Sequence, residues 1–558
     1  MKRFILALFL VFVLHGNADA QLVQADQTTY ADLVLHHGKI DQSGQLLIRS
    51  IAIQADRIVA ISDANTINNL VGAKTKVFDL AGKTVIPGLI DSHIHAIRAG
   101  LYFGSEVDWA DVKTIPEAMA RLQDKAKSLP PGGWVIVAGG WTDQQFVEKR
   151  KPSLQEVQSA TLGHPFYIQF LYDGFLISPS AIDTRSLNIP LQLLSRFRVE
   201  TQKKGAAIRP TGWLYGDARS VSEVFDLLPK PDLSSQISGT AAFFSELNRH
   251  AVTGVLDPGG YNLSDSAYEA IHLLNQQNKL SLKVRSFYCA PNRETELKDF
   301  QAKFALQRGR PLGDFYQFSG IGENVTWGMY NNENPSREQQ YELQELLIWA
   351  AQHKINVTFH WNNNQSVHYL LDVIENVNKV QKIHSLRWSI AHLNDASEIN
   401  LRRMQDLGLG WLIQDSLYYQ GERFIERRGK ELSLEVPRIM FATNLGMNVA
   451  MGTDAHRVMS YRPFTALQWL LTGKTAGGIE LGNPQERPDR INALKMYTQN
   501  GAWFTHEDQE RGVIKLGAKA DLAVLSQDFY TVPVNEIDKT KSILTLMNGK
   551  IVYQEKLQ

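Results

Sequence analysis

His93 and His95 stand two residues apart at the end of the apolar run Val85-Ile86-Pro87-Gly88-Leu89-Ile90. On an extended strand, residues two apart share a face, so both imidazoles can turn toward one ion, held by a buried strand. Two more histidines close later strand-like runs: His360 ends Ile355–His360 and His392 ends Arg387–His392. Asp454 follows Met451-Gly452-Thr453 after a further such run. Taken singly, a strand-end histidine is most simply a hydrogen-bonded structural residue, and an aspartate after Gly-Thr a turn or cap residue. Taken together, four neutral nitrogens and a carboxylate suit zinc or another borderline divalent ion. Such an ion lowers the pKa of a bound water from about 15.7 to about 7. The resulting hydroxide can attack a carbonyl or amidine carbon. His456, two residues beyond Asp454, is a candidate substrate contact against a plain loop residue. Trp141, Tyr172 and Trp327 are candidates for an aromatic pocket against a reading as core residues.

These residues need a scaffold that brings distant strand ends together. From about residue 336 the chain alternates helix and strand. Ser336 and Gln339 have capping-box spacing, Leu343, Leu346, Leu347, Ala350 and Ala351 follow at helical intervals, and the run to His360 comes next. Helical stretches at about 367–377, 397–407 and 437–445 precede the runs ending at His392, Ile413 and Met451. Short loops between such units predict parallel βα connections and an α/β fold, a (β/α)₈ TIM-like barrel with its active site at the C-terminal strand ends. The ends of the chain differ. Residues 31–62, 517–525 and 543–553 alternate in the manner of strands, with a turn at Asn548-Gly549, and could share one sheet. The span from Asp91 to Asp454 far exceeds the roughly 250 residues of a typical barrel, which predicts an insertion at about 105–240, after the first barrel strand.

Composition narrows the function classes. Among 558 residues, 58 Lys+Arg balance 58 Asp+Glu, which excludes a generally basic nucleic-acid binder. The single cysteine, Cys289, excludes internal disulfides and Cys-rich zinc modules. Lys2-Arg3, the apolar run Phe4–Leu14 and Ala18-Asp19-Ala20 form a signal-peptide pattern over residues 1–20, too short to span a bilayer, which takes about 20 apolar residues. The mature protein is expected to be exported, periplasmic or secreted, with no stable membrane insertion. Phosphate-binding glycine loops and Gly-x-Ser-x-Gly elbows are lacking. The charged run Glu422–Lys430 reads as a solvated helix face, with a lid as the alternative.

The whole mature chain resembles the amidohydrolase superfamily, and within it the amidohydrolase-3 group that contains N-substituted formamide deformylases. The matching stretches are Val85–His95, Gly139-Gly140-Trp141, Pro210–Leu214, Thr253–Asp257, His360, His392, Gly452-Thr453-Asp454 and Leu516–Leu522. The resemblance implies a metal-bearing barrel (86–499) flanked by a β-sandwich from both chain ends (21–85 and 500–558). It implies that His93 and His95 bind the more buried metal, that His360 and His392 bind a second, and that Asp454 is both ligand and general base. Many members bridge the metals with a carboxylated lysine on the fourth strand. Here Phe315–Trp327 has no lysine, and Glu323 offers a carboxylate that could bridge in its place, unless it is a solvated loop residue beside a single metal. The group's usual Asp-Gly-His segment reads Asp173-Gly174-Phe175, which replaces an expected polar substrate contact with a ring. The expected protein is a metal-dependent hydrolase of a C–N bond in a small amide, formamide or N-acyl amine, with one or two divalent ions, zinc foremost, and a homodimer left open. The alternatives are a cyclic amidine deaminase or lactone hydrolase on the same fold, and a non-catalytic exported binding protein.

Overall fold

A computed structural model describes residues 30–42, 45–183, 187–204, 207–260, 263–307 and 313–555. The expected signal segment at 1–20 lies outside the described residues.

Eight parallel strands form one nearly closed barrel: β1 (Leu89–Asp91), β2 (Val252–Asp257), β3 (Lys283–Tyr288), β4 (Tyr316–Ile321), β5 (Asn356–Trp361), β6 (Ser389–His392), β7 (Gly410–Gln414) and β8 (Val449–Gly452). The strands pair in chain order from β1 to β8. Most of their residues are buried, as expected for parallel strands covered on both faces. Closure between β8 and β1 rests on side chains as well as backbone. Ser92 N donates to Met451 O at 3.2 Å, while the buried Asp91 carboxylate accepts Thr453 N at 3.0 Å and Thr453 Oγ1 at 2.6 Å. The outer helices obey the expected signals. Ser336 and Gln339 form the capping box of Arg337–Gln352, and Ser397 caps Glu398–Asp406.

A sandwich of two four-stranded sheets sits beside the barrel. One sheet holds Leu33–Gln42, Gln45–Gln54, Arg57–Ser62 and Lys76–Asp79. The other joins Leu522–Leu525, Ser542–Met547 and Lys550–Gln554 to Val85–Pro87, which pairs antiparallel with Leu522–Leu525. Leu35, Ile53, Val85, Leu522 and Leu546 meet in the core between the sheets. The expected strand from residue 517 begins only at Leu522, because Gly517 turns at φ 79°. A single residue, Gly88, separates the sandwich strand from β1. A Cβ there would lie 2.2 Å from Thr253 Oγ1, so no side chain fits the joint.

After β1 the chain inserts a five-stranded sheet built from Val135–Val137, Phe166–Phe170, Gly174–Ile177, Arg198–Lys204 and Ala207–Tyr215. It carries its own core of Trp109, Trp141, Phe146, Phe170 and Trp213. At its inner edge Gly139, at φ 123°, lies against the loop after β8, where a Cβ would stand 1.8 Å from Arg457 O. Among the described residues, no helix is long and apolar enough to cross a membrane.

Candidate metal centre

The four histidines, Glu323 and Asp454 converge at the C-terminal end of the barrel. β1 ends at Asp91, so His93 and His95 lie in the turn after it rather than on the strand, with ring centroids 5.7 Å apart. That turn is held by Asp91 Oδ1, which accepts His93 N at 3.2 Å, and by Asp454 N donating to His93 O at 2.7 Å. Glu323, two residues past β4, sits at the centre. Its Oε2 is 3.0 Å from His360 Nδ1, 3.3 Å from His392 Nε2 and 3.4 Å from His93 Nε2, and its Oε1 is 3.7 Å from His95 Nε2. Asp454 Oδ1 is 3.2 Å from His95 Nε2 and 3.6 Å from His93 Nε2. Three sets of donors lie within 4.8 Å of one another: His93, His95 and Glu323; Glu323, His360 and His392; and His93, His392 and Asp454. Two of these sets share Glu323, which is buried rather than a solvated loop residue.

The donor set fits a divalent ion on a direct observation. Neither nitrogen of the fully buried His93 makes a hydrogen bond, although Nε2 faces Glu323 and Asp454 at 3.4 and 3.6 Å, a costly state that a bound ion would relieve. Burial would pull the His93 pKa down, but Asp454 and Glu323 override it and raise it to about 10. Burial likewise opposes charge on Glu323 and Asp454, yet the surrounding imidazoles hold both carboxyls well below the usual range. The pocket is therefore arranged to keep two carboxylates ionised around positive charge.

Most of the imidazoles have their outward nitrogens occupied. His95 Nδ1 donates to Gly259 O at 2.7 Å, and Asp257 fixes that turn by accepting Gly259 N at 2.9 Å and Ile97 N at 2.7 Å. His392 Nδ1 faces Gln414 Oε1 at 2.7 Å, and His360 Nε2 lies 2.9 Å from Asn362 Nδ2. Tyr330 stacks on His360 with centroids 4.8 Å apart and planes at 26°. Gln414, Asn362 and Tyr330 escaped sequence reasoning. Of these, only Gln414 left a usable signal, a polar residue closing a strand at the point where histidines close β5 and β6.

The expected substrate contacts divide. Trp327 stands at the barrel mouth, 6.4 Å from Tyr330, with Arg293 5.3 Å from its ring. Trp141 does not line the site: it is wholly buried in the insertion core, and its indole N–H donates to Gln169 O at 2.8 Å. Phe175 is also core, stacked on Tyr167 at 5.1 Å, so it takes no place against substrate. Tyr172 is half-buried at the tip of the hairpin joining Phe166–Phe170 to Gly174–Ile177. His456 turns toward the insertion, with Nε2 3.1 Å from Glu106 Oε2, and burial lowers its pKa. The charged run lies largely on the helix Ser416–Arg428. It is not wholly solvated, since Arg423 pairs with Asp173 and lies 4.6 Å from the Phe170 ring, while Arg428 lies 3.4 Å from Asp395. This helix bridges the barrel mouth and the insertion.

The sequence model of the amidohydrolase family matches residues 76–553. The chain belongs to the amidohydrolase family. It is a metal-dependent hydrolase of carbon–nitrogen bonds. An N-substituted formamide deformylase from Arthrobacter pascens is 21% identical over 527 residues, covering 91% of this chain and 95% of the relative. A metal-dependent hydrolase from Pyrococcus horikoshii OT3 has a TM-score of 0.63 at 18% identity, over 90% of this chain and 99% of its own. An atrazine chlorohydrolase from Arthrobacter aurescens TC1, solved with zinc, has a TM-score of 0.53 at 13% identity, over 94% and 95% of the two chains. These two likenesses are of fold.

Proposed function

We propose that this amidohydrolase cleaves the C–N bond of small N-acyl or N-formyl amines, with Asp454 as general base at a centre of one or two divalent ions, zinc foremost. The observation that carries the proposal is the position of Asp454. Its Oδ1 is 3.2 Å from His95 Nε2 inside a ring of donors, so one carboxylate serves both the ion and a water beside it. When bound, the ion supplies Lewis-acid polarisation of the scissile carbonyl and acidifies a water enough to react near neutral pH. The remaining work belongs to the chain. Asp454 orients the water, receives its proton and delivers that proton to the leaving nitrogen. His93, His95, His360 and His392 would supply neutral nitrogens, and Glu323, shared by two donor sets, would offer its carboxylate to both when two ions are held.

The aromatic surface of Tyr330 and Trp327 beside His360 suits an apolar N-substituent. Likeness to an N-substituted formamide deformylase supports the formamide end of the class. The signal-like residues 1–20 extend the reading to an exported enzyme that meets its substrate in the periplasm or outside the cell.

Metal analysis with kinetics of Asp454→Asn tests the chemistry. Turnover should fall about 10²- to 10⁴-fold while thermal unfolding stays close to wild type. A wild-type rate would remove Asp454 from the mechanism. A panel of N-substituted formamides, N-acyl amines, lactones and cyclic amidines tests the substrate class, and exclusive lactone or amidine turnover would replace it.

A further inference from the structure

The two nitrogens of His392 have different nearest partners. Nε2 lies 3.3 Å from Glu323 Oε2 inside the cluster, while Nδ1 lies 2.7 Å from Gln414 Oε1, within hydrogen-bond range, and 4.0 Å from Asp454 Oδ2, beyond it. Gln414 is the last residue of β7, with 1% of its surface exposed, and its amide nitrogen donates to Leu412 O at 2.9 Å. This second hydrogen bond decides the orientation of the amide, because a backbone carbonyl only accepts. Oε1 is therefore the atom offered to His392, so Nδ1 carries the ring proton and Nε2 keeps its lone pair toward Glu323.

We propose that Gln414 is a positioning residue that fixes His392 as an Nε2 donor to the metal centre. The inference rests on the metal-dependent reading of the site. A neutral imidazole has two tautomers, and only the one protonated at Nδ1 serves an ion lying beside Glu323. Ring packing alone leaves that choice open. His93 and His360 meet the His392 ring at 77° and 65°, with centroids at 4.9 and 4.4 Å, and such contacts restrain the ring plane without selecting the protonated nitrogen. The amide selects it. An amide also adds no charge beside a crowded set of carboxylates. Glu323, Asp454 and Asp91 are already buried here, and Asp415, the residue after Gln414, is fully buried with both carboxylate oxygens lacking a hydrogen bond. Gln414 thus gives the histidine an acceptor and leaves local charge unchanged.

Outer partners of ligating histidines typically change metal affinity by about 10- to 100-fold. Gln414→Met keeps the length of the side chain and removes the acceptor, while Gln414→Glu, held protonated by burial among carboxylates, keeps a carbonyl acceptor for His392 and an O–H donor for Leu412 O without adding charge. Each variant and the wild type would be titrated with cobalt(II) against a chelator, recording the visible absorption of the bound ion and the unfolding of the chelated form. Gln414→Met should bind cobalt about 10- to 100-fold more weakly with an altered spectrum, and Gln414→Glu should stay within about threefold of wild type. Wild-type affinity and spectrum in Gln414→Met would overturn the proposal. Should that variant fail to fold, Gln414→Glu decides, since a tenfold loss with the acceptor in place would overturn it equally. A wild type that holds no cobalt would instead defeat the metal-dependent reading itself.

Discussion

The two ends of the barrel bury the same kinds of charged side chain and treat them in opposite ways. At the N-terminal end, Arg511 donates to Asp521 at 2.9 Å and to Glu507 at 3.1 Å, and Arg285 adds a contact of 2.6 Å to Glu507. Arg387 repeats the pattern before β6, pairing with Asp508 at 2.5 Å. Each of these carboxylates meets a guanidinium within hydrogen-bond range, and the segment 503–521 is thereby tied to the barrel floor. At the C-terminal end, carboxylates face imidazoles at 3.0–4.0 Å, and both His93 nitrogens are left unbonded. A closed network spends its polar groups on one another and fixes structure. An open one keeps donors in reserve for an ion and a substrate.

Breaking the closed network should have the largest effect on folding. Arg511→Met leaves Asp521 without its cation and Glu507 with Arg285 alone, and the expected loss is about 3–5 kcal/mol in denaturant unfolding, with metal content unchanged. The same variant carries a pH signature. Arg511 and Arg285 outweigh burial and hold the Glu507 carboxyl well below its usual range. A carboxyl depressed in this way adds stability that is full above its unfolded pKa of about 4.3 and is lost as pH falls through the folded value. Without Arg511 the folded value rises, so the acid-unfolding midpoint should move to higher pH. An unmoved midpoint would show that the network is not what resists acid.

Emptying the open network should matter less for stability and more for activity. Chelation of wild type should abolish turnover and remove about 2.7 kcal/mol of stability when free metal stood at a hundred times Kd. Calorimetry with and without chelator measures this, and an equal drop in Arg511→Met would show the two ends to be independent. The smallest effect is expected in the insertion. Phe175→His places an unpaired imidazole between Tyr167 and Phe197 and should cost about 1–3 kcal/mol with substrate preference unchanged. A shifted preference would restore position 175 to the binding surface.

Much of this was readable in the residues. His360, His392 and Asp454 stand within two residues of strand ends, and the strand-like runs before them alternate with helical stretches that are legible in the residues. The capping box at Ser336 and the Asn548-Gly549 turn rest on local rules that tertiary structure did not override. What escaped was non-local or aperiodic. The insertion strand Val135–Val137 is three residues long, too short to show alternation, so Trp141 beside it resembled a site aromatic when it was core. Glu106 meets His456 across most of the barrel sequence, and no spacing rule spans that distance. The turn carrying His93 and His95 is shaped by Asp91, Thr453 and Ala455, which draw it away from an extended strand.

The pairing of Val85–Pro87 with Leu522–Leu525 bears on the order in which the molecule can assemble. A ribosome releases the first strand of this pair long before its partner exists, and every barrel strand emerges in between. Contacts of such high sequence separation raise the entropic cost of closure and slow folding. All eight barrel strands are therefore made while one sandwich sheet still lacks three of its four strands. Val85, packed between Leu35 and Ile53 on one side and Leu522 and Leu546 on the other, completes its burial only when the last strands arrive.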